Sequence, residues 1–178
     1  GKLPITIEKE FLNSPGAHYI PHDEMLYHGW DDEGEKAREV YDLRYGEGVL
    51  VGYRWYDQQI IPPLYPFGFG LSYTTFKFDN LKASSVRFSR DETLEVSFTV
   101  TNTGNRKGAE VAQLYVMDRE SGLPRPPKEL KGFEKVWLQP GETRTVVLNI
   151  TPESLAFYDV NMKYVVEPGE FEIGVGNS

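Results

Sequence analysis

A chain of 178 residues that is 39% hydrophobic and 13% aromatic carries enough apolar material for a packed core, which excludes a disordered tail. Its 19 basic against 27 acidic residues leave a net charge of -8 and a pI near 5.0, the wrong sign for gripping a phosphate backbone. Without cysteine it can build neither a disulfide framework nor a thiolate metal site, and no apolar run reaches membrane-spanning length.

The chain opens on Gly1, and GKLPITIEKE lacks the pattern of a signal peptide, so a cut from inside a longer protein is expected. LPITI reads as a short apolar strand. A long polar and aromatic stretch follows, holding at most a short helix around EGEKAREVYDL. GEGVLVGYRWYD reads as a second strand, with Val49, Val51, Tyr53 and Trp55 alternating against Leu50, Gly52 and Arg54. Two strands cannot bury enough apolar area to stand alone, so residues 1–60 are expected to belong to a sheet completed elsewhere.

Residues 61–75 read as a stiff link. Pro62, Pro63 and Pro66 fix φ, while Gly68 and Gly70 allow turns or close approach. Tyr65, Phe67, Phe69, Tyr73 and Phe76 are five rings that a free linker would leave in water, so they are expected to wedge between two domains.

From Phe76 onward the pattern is that of a mainly β domain. FKF opens it. TLEVSFTV sets Leu94, Val96, Phe98 and Val100 on one face, with Thr93, Glu95, Ser97 and Thr99 on the other. AEVAQLYVM is apolar on both faces, as a central strand is. KELKGFEKVWL breaks at QPGE, where Pro140-Gly141 suits a type II turn. TRTVVLNI turns Val146, Leu148 and Ile150 inward. TPESLAF reads as one helical turn with Thr151 at the cap and Pro152 at the first helical position. MKYVV, the turn EPGE and FEIGV finish the domain, with Phe171, Ile173 and Val175 in step. About seven strands in roughly 100 residues predict an immunoglobulin-like or fibronectin type III-like β-sandwich over 76–178.

Three stretches, GKLPIT (1–6), RYGEGVLVGYRWYD (44–57) and PLYPFGFGLSYTTF (63–76), resemble, in that order, the C-terminal half of glycoside hydrolase family 3, the β-glucosidases. NTGNRKGAEVAQLYV, PRPPKELKGFEKV and LQPGETRTVVLNI resemble that family's fibronectin type III-like domain. The resemblance implies that residues 1–60 close an α/β sandwich domain and that YPFGFGLSYTTF carries the chain into the next domain. It implies a retaining hydrolase that releases terminal β-linked sugars without a cofactor. Its aspartate nucleophile and glutamate acid/base would lie upstream, and no Ser-Asp-Trp occurs in this sequence. The catalytic assignment on this chain is therefore none. Asp57 and Glu47, inside the matched stretch, are read as structural or surface groups.

The segment from Asn13 to about Asp42 departs from the family pattern and holds His18, Tyr19, His22, Asp23, Tyr27, His28 and Trp30, with all three histidines. Its rings could stack on sugars and its carboxylates accept from hydroxyls, which makes Trp30, Tyr27, His28 and Asp23 candidate substrate-binding residues. His18, His22, Asp23 and His28 have metal-ligand chemistry, but Pro21 interrupts the spacing and no helix sets it, so no metal is expected. Packing against a surface or subunit is the third reading. The resemblance implies upstream catalytic domains, on the same or a separate chain, and a carbohydrate substrate as partners. It leaves a homo-oligomer open and favours a periplasmic or secreted location. Nucleic acid and membrane are not expected partners. The competing reading is a stand-alone carbohydrate-binding or protein-interaction module.

Overall fold

The computed structural model describes residues 1–19 and 45–177. The expected helix around EGEKAREVYDL and the candidates Asp23, Tyr27, His28 and Trp30 lie outside the described residues.

The second half is a two-sheet antiparallel sandwich. One sheet runs β1 (Phe76–Ala83), β2 (Leu94–Asn102), β5 (Thr143–Ile150), and the facing sheet runs β4 (Glu129–Leu138), β3 (Gly108–Asp118), β8 (Phe171–Gly176). A small hairpin of β6 (Phe157–Tyr158) and β7 (Tyr164–Val165) lies between β5 and β8 in sequence. The alternation read from TLEVSFTV holds. Leu94, Val96, Phe98 and Val100 are buried and pack with Leu114, Val116, Val136, Leu138, Val146 and Ile150 from both sheets. Gly141, at φ 74, occupies the left-handed position that a type II turn requires, as QPGE predicts. Thr151 stands at the cap of α2 (Pro152–Leu155) but makes no side-chain capping bond; Pro152 at the first position and the bond from Ser154 Oγ to the Thr151 carbonyl define that turn.

Two sequence expectations for the leading segment change. GEGVLVGYRWYD does not form a strand: Tyr53–Gln59 is a helix, α1, entered through Gly52 at φ 56. Alternation of Val49, Val51, Tyr53 and Trp55 resembles period two, but Trp55 and Tyr56 are both buried, which a strand with one covered face does not allow. The indole Nε1 donates to the Asn13 carbonyl at 3.1 Å and the indole lies 5.3 Å from the His18 ring, tilted against it, so tertiary contacts select the helix. It ends on Ile60 at φ 55, an unfavourable left-handed position for a β-branched residue, just before Pro62 and Pro63.

LPITI makes one bridge rather than a strand of a sheet. Ile7 pairs with Tyr65, and Leu3 exchanges backbone bonds with Phe69 and Gly68 at 2.8 and 2.9 Å. The N-terminal residues thus run beside the proline-rich link and hold it in place. Gly70 is needed for this approach, since a Cβ there would sit 2.2 Å from the Gly1 carbonyl oxygen.

Candidate functional site

Among the described residues, the polar and aromatic side chains converge at the seam between α1 and the outer face of the β4-β3-β8 sheet. Outward positions of β3 should be wet, yet Gln113 and Tyr115 are buried. Tyr53 covers them. Its ring lies edge-on to Tyr115 at 6.1 Å and against Phe67 of the link at 5.0 Å, and its hydroxyl accepts from the Leu130 amide at 2.9 Å. Tyr115 in turn donates to Gln113 Oε1.

Below these rings lies a charged cluster. The Glu129 carboxylate is paired with Arg125 at 2.5 Å, Lys131 at 3.3 Å and Arg54 of α1 at 3.5 Å, while Lys128 pairs with Asp57 of α1 at 3.3 Å. Arg125 also lies over the Phe157 ring at 4.6 Å. Burial alone would raise the Glu129 carboxyl, but Lys131 and Arg125 beside it hold it below the usual carboxylate range. Burial lowers the Lys131 ammonium, and Glu129 recovers only part of that. Burial, with the neighbouring Tyr53 and Asp57, drives the Tyr115 phenol well above its ordinary value.

This chemistry is that of a joint. A carboxylate depressed by several cations stays ionised near neutrality and cannot serve as a general acid. A phenol pushed upward stays neutral. Asp57 is engaged by Lys128 across the seam, and Glu47 lies in the turn over Tyr45–Gly48 with its carbonyl accepting from the Leu50 amide. No group of three or more metal-ligating side chains occurs among the described residues. His18 packs on Trp55 through its ring.

A second tie was not foreseen in the sequence. Asn102, fully buried at the end of β2, accepts from Thr74 Oγ1 at 2.6 Å and from the Gly104 amide at 3.1 Å. Its amide nitrogen donates to the Arg106 and Leu138 carbonyls at 2.8 and 3.1 Å. One side chain thereby joins the link to both sheets. The only signal for it was NTGN after an apolar strand, which reads equally well as a plain turn. Of the five link rings, Phe67 is wedged at the seam and Phe76 packs on the core, while Tyr73 is 89% exposed.

Residues 110–178 match a fibronectin type III-like domain. The chain is 46% identical over its whole length to thermostable β-glucosidase B of Acetivibrio thermocellus, of which it covers 22%. It is 50% identical over 114 residues to the periplasmic β-glucosidase of Salmonella typhimurium, covering 64% of this chain and 15% of that protein. The crystal structure of a family 3 β-glucosidase from Bifidobacterium adolescentis superposes over all of this chain and 24% of its own, with a TM-score of 0.81 at 36% identity. The chain spans about a fifth of the length of the relatives it matches, 22% in the first two. The sandwich is a fibronectin type III-like domain, and the chain belongs to glycoside hydrolase family 3, to the C-terminal part of its β-glucosidases.

Proposed function

We propose that this chain is the structural C-terminal portion of a retaining β-glucosidase-like hydrolase that releases terminal β-linked sugars, with both catalytic carboxylates on the part that precedes it. The observation that carries this reading is the match of the whole chain, leading segment and sandwich alike, to β-glucosidases several times its length. A stand-alone module is disfavoured because the match does not stop at the sandwich.

Residues 1–60 would complete an α/β sandwich domain, residues 61–75 would form the link, and 76–178 would be the fibronectin type III-like domain. Support comes from the apolar side chains that the leading segment and the link expose: Ile5, Leu12, Val49, Val51, Leu64 and Leu71 are all at least 49% exposed. Thr6 Oγ1 is buried without a hydrogen-bond partner among the described residues. Both features fit a surface that docks on further protein. The partners are then the upstream catalytic domains and a carbohydrate, in a homo-oligomer or not. The periplasmic relative supports a periplasmic or secreted location.

The 178-residue chain should show no turnover of an aryl β-glucoside, whereas the complete polypeptide should hydrolyse it. Activity in the isolated chain that a substitution within it abolishes would sink the reading.

Trp30, Tyr27, His28 and Asp23 are proposed to contact the leaving-group side of the sugar. Trp30→Ala in the complete polypeptide should then cost about fivefold to tenfold in kcat/KM on a disaccharide and little on an aryl glucoside. An unchanged ratio between the two substrates retires that role.

A further inference from the structure

At the end of the β4-β3-β8 sheet away from Tyr53, the outer face is bare. Phe133, Lys135 and Trp137 alternate with the more covered Glu134, Val136 and Leu138 along β4 and share this face, which spans ~13 Å from ring to ring on an extended strand. Phe133 is 66% and Trp137 56% exposed. Ala109 lies opposite Trp137 and Val111 opposite Lys135, short side chains beside the indole, while Phe133 lies opposite Gln113.

The charge here is opposite to that of the whole chain. Lys107 and Lys135 place their ammonium groups 6.0 and 5.2 Å from the Trp137 ring centroid. Among the described residues neither lysine has a carboxylate ion-pair partner. Against a net charge of -8, two cations left on one exposed indole form a local positive spot with an apolar centre. Aromatic faces stack on the C–H faces of sugar rings, and ammonium groups pair with carboxylates.

We propose that the Trp137 face binds an acidic polysaccharide, one whose sugar rings carry carboxylates: rings stack on Trp137 and Phe133, and carboxylates pair with Lys107 and Lys135. The sugar half of this inference rests on the glycoside hydrolase reading above; the anionic half rests on the two lysines. Loss of retention on neutralising the two lysines separates binding at this face from diffuse attraction to the polyanion.

The test is affinity electrophoresis of the complete polypeptide through gels containing polygalacturonate, a neutral β-glucan, polyglutamate or no polymer. Polygalacturonate should retard it, less so as salt rises, while the neutral glucan and polyglutamate should not. Trp137→Ala and, separately, the double change Lys107→Gln with Lys135→Gln should each weaken retardation about tenfold, with aryl-glucoside kcat/KM unchanged. The lysine pair is exposed, so that variant folds even if the tryptophan variant does not. Absence of retardation, equal retardation by the neutral glucan or by polyglutamate, or retardation indifferent to both variants overturns the proposal. So does a Trp137→Ala variant that melts earlier yet binds as before, the result expected if other protein covers this face. Should the wild type lack glucosidase activity while still being retarded, the hydrolase reading fails and the binding surface stands.

Discussion

The sandwich and the leading segment are built from similar side chains and end in opposite states. In the sandwich, Val96, Val100, Ala112, Leu114, Val136 and Leu138 have no exposed surface at all. In the leading segment and the link only Ala17, Trp55 and Tyr56 are buried among the described apolar residues, and Ile60 and Leu71 are 89% and 88% exposed. Apolar composition therefore does not make a core; two facing sheets do, because each supplies the partner that removes the other from water. Among the described residues the segment meets the sandwich at the seam of Tyr53 and Glu129 and through Lys2, which pairs with the buried Glu110 at 2.8 Å.

The comparison breaks most readily in the sandwich. Phe98 is 1% exposed and its ring stacks 6.3 Å from Phe78. Phe98→Ala should cost ~3–5 kcal/mol, the transfer of the ring plus the cavity left behind. Thermal or urea unfolding measures it; a loss under about 1 kcal/mol would mean that the core is not the rigid unit described.

The seam should respond less, and with a signature in pH. Glu129→Gln leaves Arg125 and Lys131 without their shared anion, and a cost of about 2 kcal/mol is expected, under the ~3–5 of a fully buried pair because the side chain keeps 15% exposure. The Glu129 carboxyl lies below its unfolded value, so its contribution is fully present above an unfolded pKa of ~4.3 and is lost as pH falls through the lower folded pKa. The variant should therefore lose stability at neutral pH and converge on the parent in acid. Parallel curves over that range would show that the carboxylate does not titrate against those cations.

The strands of the sandwich were legible because period two over TLEVSFTV and TRTVVLNI has one cause, a covered inner face, and the turn at Pro140-Gly141 has one conformation that suits it. The seam was not legible. Tyr53 and Asp57 are far in sequence from Arg125 and Glu129, and only the fold shows that Lys128 and Glu129, at the end of a loop rich in proline, meet Asp57 and Arg54 of α1. The same lack of local cause explains α1 itself. Its seven residues are too few to hold a helix by propensity, so the buried Trp55 and Tyr56 decide the conformation and the alternating pattern misleads. Asn102 was hidden for a third reason: an asparagine after a strand serves a turn or a buried network equally well, and only the carbonyls of Arg106 and Leu138 distinguish them.

The smallest effect tests the other side of the comparison. Leu71 lies just before the sandwich, 88% exposed, with nothing to lose by becoming polar. Leu71→Ser in the isolated 178-residue chain should shift stability by less than ~0.5 kcal/mol, as an ordinary surface change does. In the complete polypeptide, if this face docks on the preceding domains, the same change removes a buried leucine and should cost ~1.5–3 kcal/mol. The informative quantity is the difference between the two proteins, obtained from paired melting curves. A small cost in both would mean that Leu71 faces solvent in the assembled protein and that the docking surface lies elsewhere, at Ile5 and Leu12, where the same pair of measurements can be repeated.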